Sequence, residues 1–379
     1  MEKVGREARF GEGFKPATSR RSNGFPLDMP HGKLLIDARG RVLRDLRISV
    51  TDRCNFRCLY CLPETEAAAN FHREHHCAGL DHPIVREWIP RAQLLSFEEI
   101  ERVARLGVEL GIHKVRITGG EPLLRHELEG LIERLAHIPG VADLAMTSNG
   151  FSFLQQGKAL RDAGLRRISF SLDSLDREQF KKITGRDALE EVLAAIQYAR
   201  ELGLAPVKLN AVIIRGLNDP EIEALAEFAR RQNLSLRFIE FMPLDSARAW
   251  QQELVVTGRE ILARLQARYA LRPVPPANLS ETAQRWTFPD GRGELGIIAP
   301  VSEPFCGNCN RIRLTADGKI RTCLFSLADH DLRPHLREGA TDEQVCAYWR
   351  EVAWNKEAGH RIGQPDFVPP NRSMSCIGG

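Results

Sequence analysis

Between about residues 46 and 240, short runs rich in β-branched residues alternate with amphipathic helical runs, and this alternation constrains the fold more than any other feature. Strands are expected over 46–51, 114–118, 143–147, 167–172, 207–213 and 236–240. Ser96-Phe-Glu-Glu99 is a capping box, and behind it Ile100, Val103, Leu106 and Leu110 share one helical face. Further helices are expected over roughly 124–137, 153–164, 188–203 and 219–232. Six strands separated by helices imply an α/β fold with a parallel sheet and right-handed crossovers. In barrel-like α/β folds the active residues gather at the C-terminal strand ends. Here those ends carry Thr118-Gly-Gly-Glu-Pro122, Thr147-Ser-Asn-Gly150, Ser171-Leu-Asp173 and Glu240-Phe-Met-Pro243.

The pattern changes after about residue 245. Thr257-Gly-Arg-Glu260 opens one more helix with a second capping box, and Pro273, Pro275 and Pro276 then break the chain. Short strands follow, including a hairpin over 312–321 whose Asp317-Gly318 suits a tight turn. Thr341-Asp-Glu-Gln344 opens a last helix. The 53 Lys and Arg nearly balance the 50 Asp and Glu, which argues against a nucleic-acid binder. No apolar run is long enough to span a bilayer, so no membrane anchor is expected. The first residues mix several Arg with Glu2, Glu7 and Glu12 and contain no apolar stretch; a disordered arm is expected over 1–34.

Nine cysteines, an odd count without a secretory signal, argue for a reducing, cytoplasmic setting rather than a disulfide framework. Cys54, Cys58 and Cys61 are spaced C-x3-C-x2-C just after the first strand. Three thiolates leave one iron of a [4Fe–4S] cluster open to another ligand. A structural zinc site, with a fourth ligand from His72, His75, His76 or Cys77, is the alternative. Cys306, Cys309 and Cys323 form a second trio, spaced C-x2-C-x13-C across the expected hairpin. Only one C-x2-C knuckle is present, so a second cluster with an open iron is preferred to a zinc ribbon. Cys346 falls in a helical pattern and reads as packing. Arg311 and Arg313 are two apart, so on a strand they share a face and suit bidentate phosphate binding.

The first trio, with Tyr60 before its third cysteine, and Gly119-Gly-Glu-Pro122 after the second strand resemble the radical S-adenosylmethionine superfamily. Both trios together, with Cys306-Gly-Asn-Cys-Asn-Arg-Ile-Arg313 and a Gly378-Gly379 ending, resemble its GTP 3′,8-cyclase family over about residues 35–379. That resemblance implies a partial (βα)6 TIM-type barrel over 35–245 and a C-terminal α+β extension over 246–379 carrying a second Fe–S cluster. It implies S-adenosylmethionine bound near Tyr60, Gly120, Glu121, Ser171 and Met242. It implies GTP held by Arg47, Arg116, Thr147, Lys208 and the run Arg311, Ile312 and Arg313. Arg311, Arg313, Gly378 and Gly379 would serve catalysis. In the family a 5′-deoxyadenosyl radical abstracts the ribose 3′ hydrogen of GTP, C3′ attacks guanine C8, and 3′,8-cyclo-7,8-dihydro-GTP enters molybdenum cofactor biosynthesis.

The implied partners are an electron donor protein and a downstream cyclic pyranopterin monophosphate synthase, with the chain a monomer or a homodimer. Two other readings compete: another two-cluster radical enzyme, such as a peptide-modifying maturase, and a zinc-stabilised interaction protein. The stretch over 64–93 is expected to be an irregular insertion.

Overall fold

The computed structural model describes residues 34–378 except 63, 75–86 and 245–249, with 72 and 73 described by their backbone alone. All but the last residue of the expected arm, together with His75, His76, Cys77, His82 and Gly379, therefore lies outside the described residues, as does the side chain of His72.

Among the described residues, twelve strands form one sheet. They are β1 (Asp45–Ser49), β2 (Lys114–Thr118), β3 (Asp143–Ser148), β4 (Arg167–Ser171), β5 (Lys208–Ile213), β6 (Ser235–Glu240), β7 (Arg272–Val274), β8 (Gln284–Thr287), β9 (Glu294–Ile298), β10 (Arg311–Leu314), β11 (Lys319–Arg321) and β12 (His330–Asp331). The helices are α1 (Glu66–Glu74), α2 (Phe97–Glu109), α3 (Leu128–Ala136), α4 (Phe153–Asp162), α5 (Arg177–Thr184), α6 (Leu189–Glu201), α7 (Ile222–Gln232), α8 (Gly258–Arg268), α9 (Arg333–Arg337), α10 (Asp342–Trp354) and α11 (Met374–Ile377).

β1 to β6 lie side by side in chain order, all parallel. The chain after 245 does not build a separate sheet. β10 pairs parallel with β1 and β9 pairs parallel with β6, so the late strands cover both edges of the early six. Antiparallel pairings then carry the sheet outward through β11 and β12 on one side and β8 and β7 on the other. The change at 245 is thus one of connection: hairpins replace helical crossovers.

The expected strands lie within a residue or two of the observed ones, because each β-branched run is bounded by turn-forming residues. The three capping boxes form at Ser96, Thr257 and Thr341. Ile100, Val103, Leu106 and Leu110 of the α2 region are each 1 % exposed or less, each contributing about 1.5–3 kcal/mol by burial. Two expectations need correction. The helix read from 124 begins at Leu128, because Pro122–Leu124 forms a 3-10 turn and Glu127 takes a left-handed conformation (φ 55°). The stretch over 64–93 is not wholly irregular: α1 buries Ala68 and Phe71 against Leu59, Ile183 and Ile214. No helix among the described residues is long and apolar enough to cross a membrane.

Candidate active site

Residues from both parts of the chain line one cavity, and both cysteine trios open into it. Their positions follow from strand register. Cys54, Cys58 and Cys61 follow the C-terminal end of β1. Asp45, the first residue of β1, is level with Arg311, so Cys306 and Cys309 lie beyond its other end, and Cys323 returns there after β11. At about 3.3 Å per residue, the five residues of β1 set the two trios roughly 15–20 Å apart along the cavity. The eight described cysteines are free of disulfides. Burial pushes the Cys54 thiol up to about 11, and Cys58 also rises well above the ordinary thiol range. Burial acts the same way on Cys309, but Arg311 and Lys356 outweigh it and bring that thiol down to about 6.

A row of guanidiniums occupies the space between the trios. Arg313, Arg47 and Arg116 are register partners on β10, β1 and β2, so three cations stand abreast. Arg311 and Arg237 face the same cavity. Burial first, then the neighbouring arginines, lowers Arg47 to about 10; burial likewise brings Arg116 to about 10. Arg116 Nη1 donates to Thr147 Oγ1 at 3.2 Å and to Ser169 Oγ at 3.4 Å. The Nε atoms of Arg47 and Arg311 and Oδ1 of Asn210 are buried without a hydrogen-bond partner. Clustered like charges and unpartnered polar atoms are costly in an interior unless an anionic, hydrogen-bonding ligand completes them. The cations sit mid-strand, not at the strand-end rim where convergence was expected.

Tyr60, Gly120, Ser171 and Met242 all line the cavity at its rim. Tyr60 donates its hydroxyl to Asp173 Oδ2 at 2.7 Å, and burial pushes the Asp173 carboxyl up to about 6. Gly120 permits a close approach: a Cβ there would stand 2.3 Å from the Arg53 carbonyl oxygen. The Gly120 and Glu121 amides donate to the carbonyls of Thr51 and Arg53 at 2.8 Å each. This element therefore clasps the loop that carries Cys54.

Three expected site residues fall elsewhere. The Glu121 carboxylate is turned from the cavity. It accepts from Ser148 Oγ (2.8 Å), Leu123 N (3.0 Å) and Asn149 N (2.7 Å), stapling the β2 end to the β3 end. Three of its acceptor sites are thus taken up within the protein. Ile312 points its side chain into the hydrophobic core, as alternation between Arg311 and Arg313 requires. Lys208 starts β5 and does not line the cavity itself, yet it lies close enough to Arg237, Arg167 and Arg116 to feel their charge. Gly378 enters from the C-terminal end, its carbonyl accepting from Arg313 Nη1, and its φ is +78°. Arg237, Asn210, Asp173 and His360 were not singled out from sequence. For Arg237 and Asn210 the only signal was a polar residue at an alternating strand position, and for Asp173 one at a strand end; His360 lies on no strand and carried none.

The residues fit the groups that the resemblance implies. Each trio opens its thiols to one cavity, while no three His, Cys, Asp or Glu among the described residues converge on a single-ion position. The unpartnered Nε and Oδ1 atoms supply donors and an acceptor for polar ligands between them.

Residues 48–229 match the model of the radical SAM superfamily, and residues 234–362 match the model named Molybdenum Cofactor Synthesis C. Among curated proteins, GTP 3′,8-cyclase 2 of Mycobacterium tuberculosis (strain ATCC 25618 / H37Rv) is 42 % identical, covering 96 % of this chain and 98 % of that one. The GTP 3′,8-cyclase of Streptomyces coelicolor is 44 % identical over 91 % of this chain and 96 % of its own length. That of Corynebacterium glutamicum (strain ATCC 13032) is 40 % identical over 99 % and 97 %. Among solved structures, Streptococcus suis SuiB bound to S-adenosylmethionine superposes with a TM-score of 0.55 at 12 % identity, covering 89 % of this chain and 78 % of that chain, a likeness of fold alone. Fold and cysteine site together define a protein of the radical S-adenosylmethionine class. Within that class, the chain belongs to the GTP 3′,8-cyclase family.

Proposed function

We propose that this chain converts GTP to (8S)-3′,8-cyclo-7,8-dihydroguanosine 5′-triphosphate, the first step of molybdenum cofactor biosynthesis. The observation that carries the reading is the row of three register-paired guanidiniums held between two thiol trios in one cavity. The parallel strands β1 to β6 would wrap this cavity as a partial barrel. Cys54, Cys58 and Cys61 would hold one [4Fe–4S] cluster, and Cys306, Cys309 and Cys323 a second. When bound, the first cluster and S-adenosylmethionine supply a 5′-deoxyadenosyl radical.

The chain's own residues do the rest by position. Arg313, Arg47 and Arg116 neutralise the triphosphate through charge-assisted hydrogen bonds, with Arg237 and Lys208 adding charge at the same end. Thr147 and Ser169 hold the Arg116 fork in place. Tyr60, fixed by Asp173, Ser171 and Met242 shape the rim for the methionyl cofactor. Phe305, over which Arg311 lies at 5.0 Å, gives the guanine end an apolar wall. Val212, Ile239 and Met242 wall the reacting carbon off from solvent-borne oxidants and hydrogen donors that would quench a carbon radical. An electron donor protein and a cyclic pyranopterin monophosphate synthase complete the sequence in the cytoplasm.

The test supplies the reduced, iron-loaded protein with S-adenosylmethionine and 3′-deuterated GTP. Deuterium is expected in 5′-deoxyadenosine, with about eight iron atoms per chain. Cofactor cleavage without label transfer would overturn the GTP assignment and leave the radical chemistry standing.

A further inference from the structure

Lys356 follows α10 and is 2 % exposed. Its ammonium donates to the Arg311 carbonyl at 3.1 Å and to the Thr322 carbonyl. Both carbonyls flank thiols: Arg311 lies two residues after Cys309, and Thr322 immediately precedes Cys323. The next three residues extend the contact. Glu357 accepts from Thr322 Oγ1 at 2.6 Å. The Glu357 and Ala358 carbonyls accept from Arg41, which also donates to the Cys306 carbonyl at 2.7 Å. Gly359 lies against Cys306, so close that a Cβ there would be 3.1 Å from its Sγ. Residues 356–359 therefore grip the chain at all three cysteines of the second trio.

No carboxylate among the described residues forms an ion pair with the Lys356 ammonium, and Glu357 is engaged by Thr322. The ammonium's hydrogen bonds go to carbonyls, and the Glu357 carboxylate, which feels its charge, is shared with Thr322, so further negative charge nearby is favoured. The second trio, whose chain this lysine grips at Arg311 and Thr322, would supply it.

We propose that Lys356 is a positioning residue for the second iron–sulfur centre, bracing the hairpin that carries its cysteines and acting as the buried counter-charge that favours its reduced form. The inference rests on reading Cys306, Cys309 and Cys323 as cluster ligands. Reduction adds one negative charge to the centre, so a fixed cation beside it stabilises the reduced state, and removing that cation favours the oxidised state.

The experiment uses the full chain with the first trio replaced (C54A/C58A/C61A), so that iron reports the second trio alone. Iron content and an electron-paramagnetic-resonance redox titration are compared for this parent, Lys356→Met and Lys356→Arg. Lys356→Met is expected to keep about four irons while its reduced-to-oxidised ratio at the parent midpoint falls at least about tenfold, equivalent to 59 mV for one electron. Lys356→Arg keeps the parent ratio within about twofold. Iron lost from Lys356→Met but kept by Lys356→Arg also supports the role, as a charged brace. An unchanged midpoint in iron-replete Lys356→Met, or equal iron loss in both variants, overturns it. A parent that binds no iron removes the second centre itself, a failure seen before Lys356 is altered.

Discussion

Lys208 illustrates how single residues feel the cation row. Burial first, then Arg237 and Arg167, bring its pKa from 10.5 down to about 8. An anion beside it favours the protonated form, so above pH 8 nucleotide binding must take up a proton. Affinity for GTP is expected to fall by up to about tenfold per pH unit above about pH 8, and Lys208→Met should flatten that profile in a calorimetric titration. The sign for stability is opposite. Between pH 8 and 10.5 the unfolded chain holds the proton more often than the folded one, so the ligand-free protein gains stability as pH rises through that window. Arg47 belongs to the same argument. Standing between Arg313 and Arg116 with an unpartnered Nε, it raises the energy of the empty site and lowers that of the filled one. Arg47→Met should weaken GTP binding by about 1.5–3 kcal/mol while raising the melting temperature of the ligand-free protein. A variant that binds normally would remove Arg47 from the anion site.

At the scale of elements, two glycines make sharp predictions because a side chain has nowhere to go. In Gly120→Ala the new methyl would lie 2.3 Å from a backbone oxygen of the cysteine loop, which cannot rotate aside. Overpacking of this kind costs about 1–3 kcal/mol, and iron per chain should fall from about eight toward about four as the first trio is displaced. In Gly378→Ala the methyl would meet Thr118 Oγ1 at 2.1 Å in a left-handed conformation. The tail should leave Arg313 and turnover should drop at least about tenfold, with the melting transition moving by a few degrees at most. The same elements show what was readable beforehand. The capping boxes, the six β-branched runs and the Asp317-Gly318 hairpin are local signals, and the chain honours them. The partners of the Glu121 carboxylate, Ser148 and Asn149, were not legible because they sit at the end of another strand, and nothing local announces that pairing. Arg237 and Asn210 escaped notice because an inward polar residue on a strand looks the same as a solvated one.

For the whole molecule, the long-range pairings were the least legible part. β9 on β6 and β10 on β1 join strands that share no spacing signal, because parallel pairing leaves no turn between them to read. Their role is to cover both edges of the six early strands. A fragment ending at residue 244 would expose the backbone of β1 and β6, and such unpaired edges drive aggregation. That fragment is expected to be insoluble, or oligomeric by light scattering, while the full chain is not. Cys306, Cys309 and Cys323 would be missing from it, yet the first trio should also fail to hold iron, since β1 loses its neighbour.

The pairing of Asp45 with Arg311 also sets a clock. At about 5–20 residues per second, a ribosome that has just made β1 needs on the order of ten to fifty seconds to make its partner. Throughout that interval Cys54, Cys58 and Cys61 stand beside an unfinished sheet with one wall of their cavity not yet synthesised. That trio should therefore take up iron only after β10 is made, and chains arrested before residue 311 are expected to carry none.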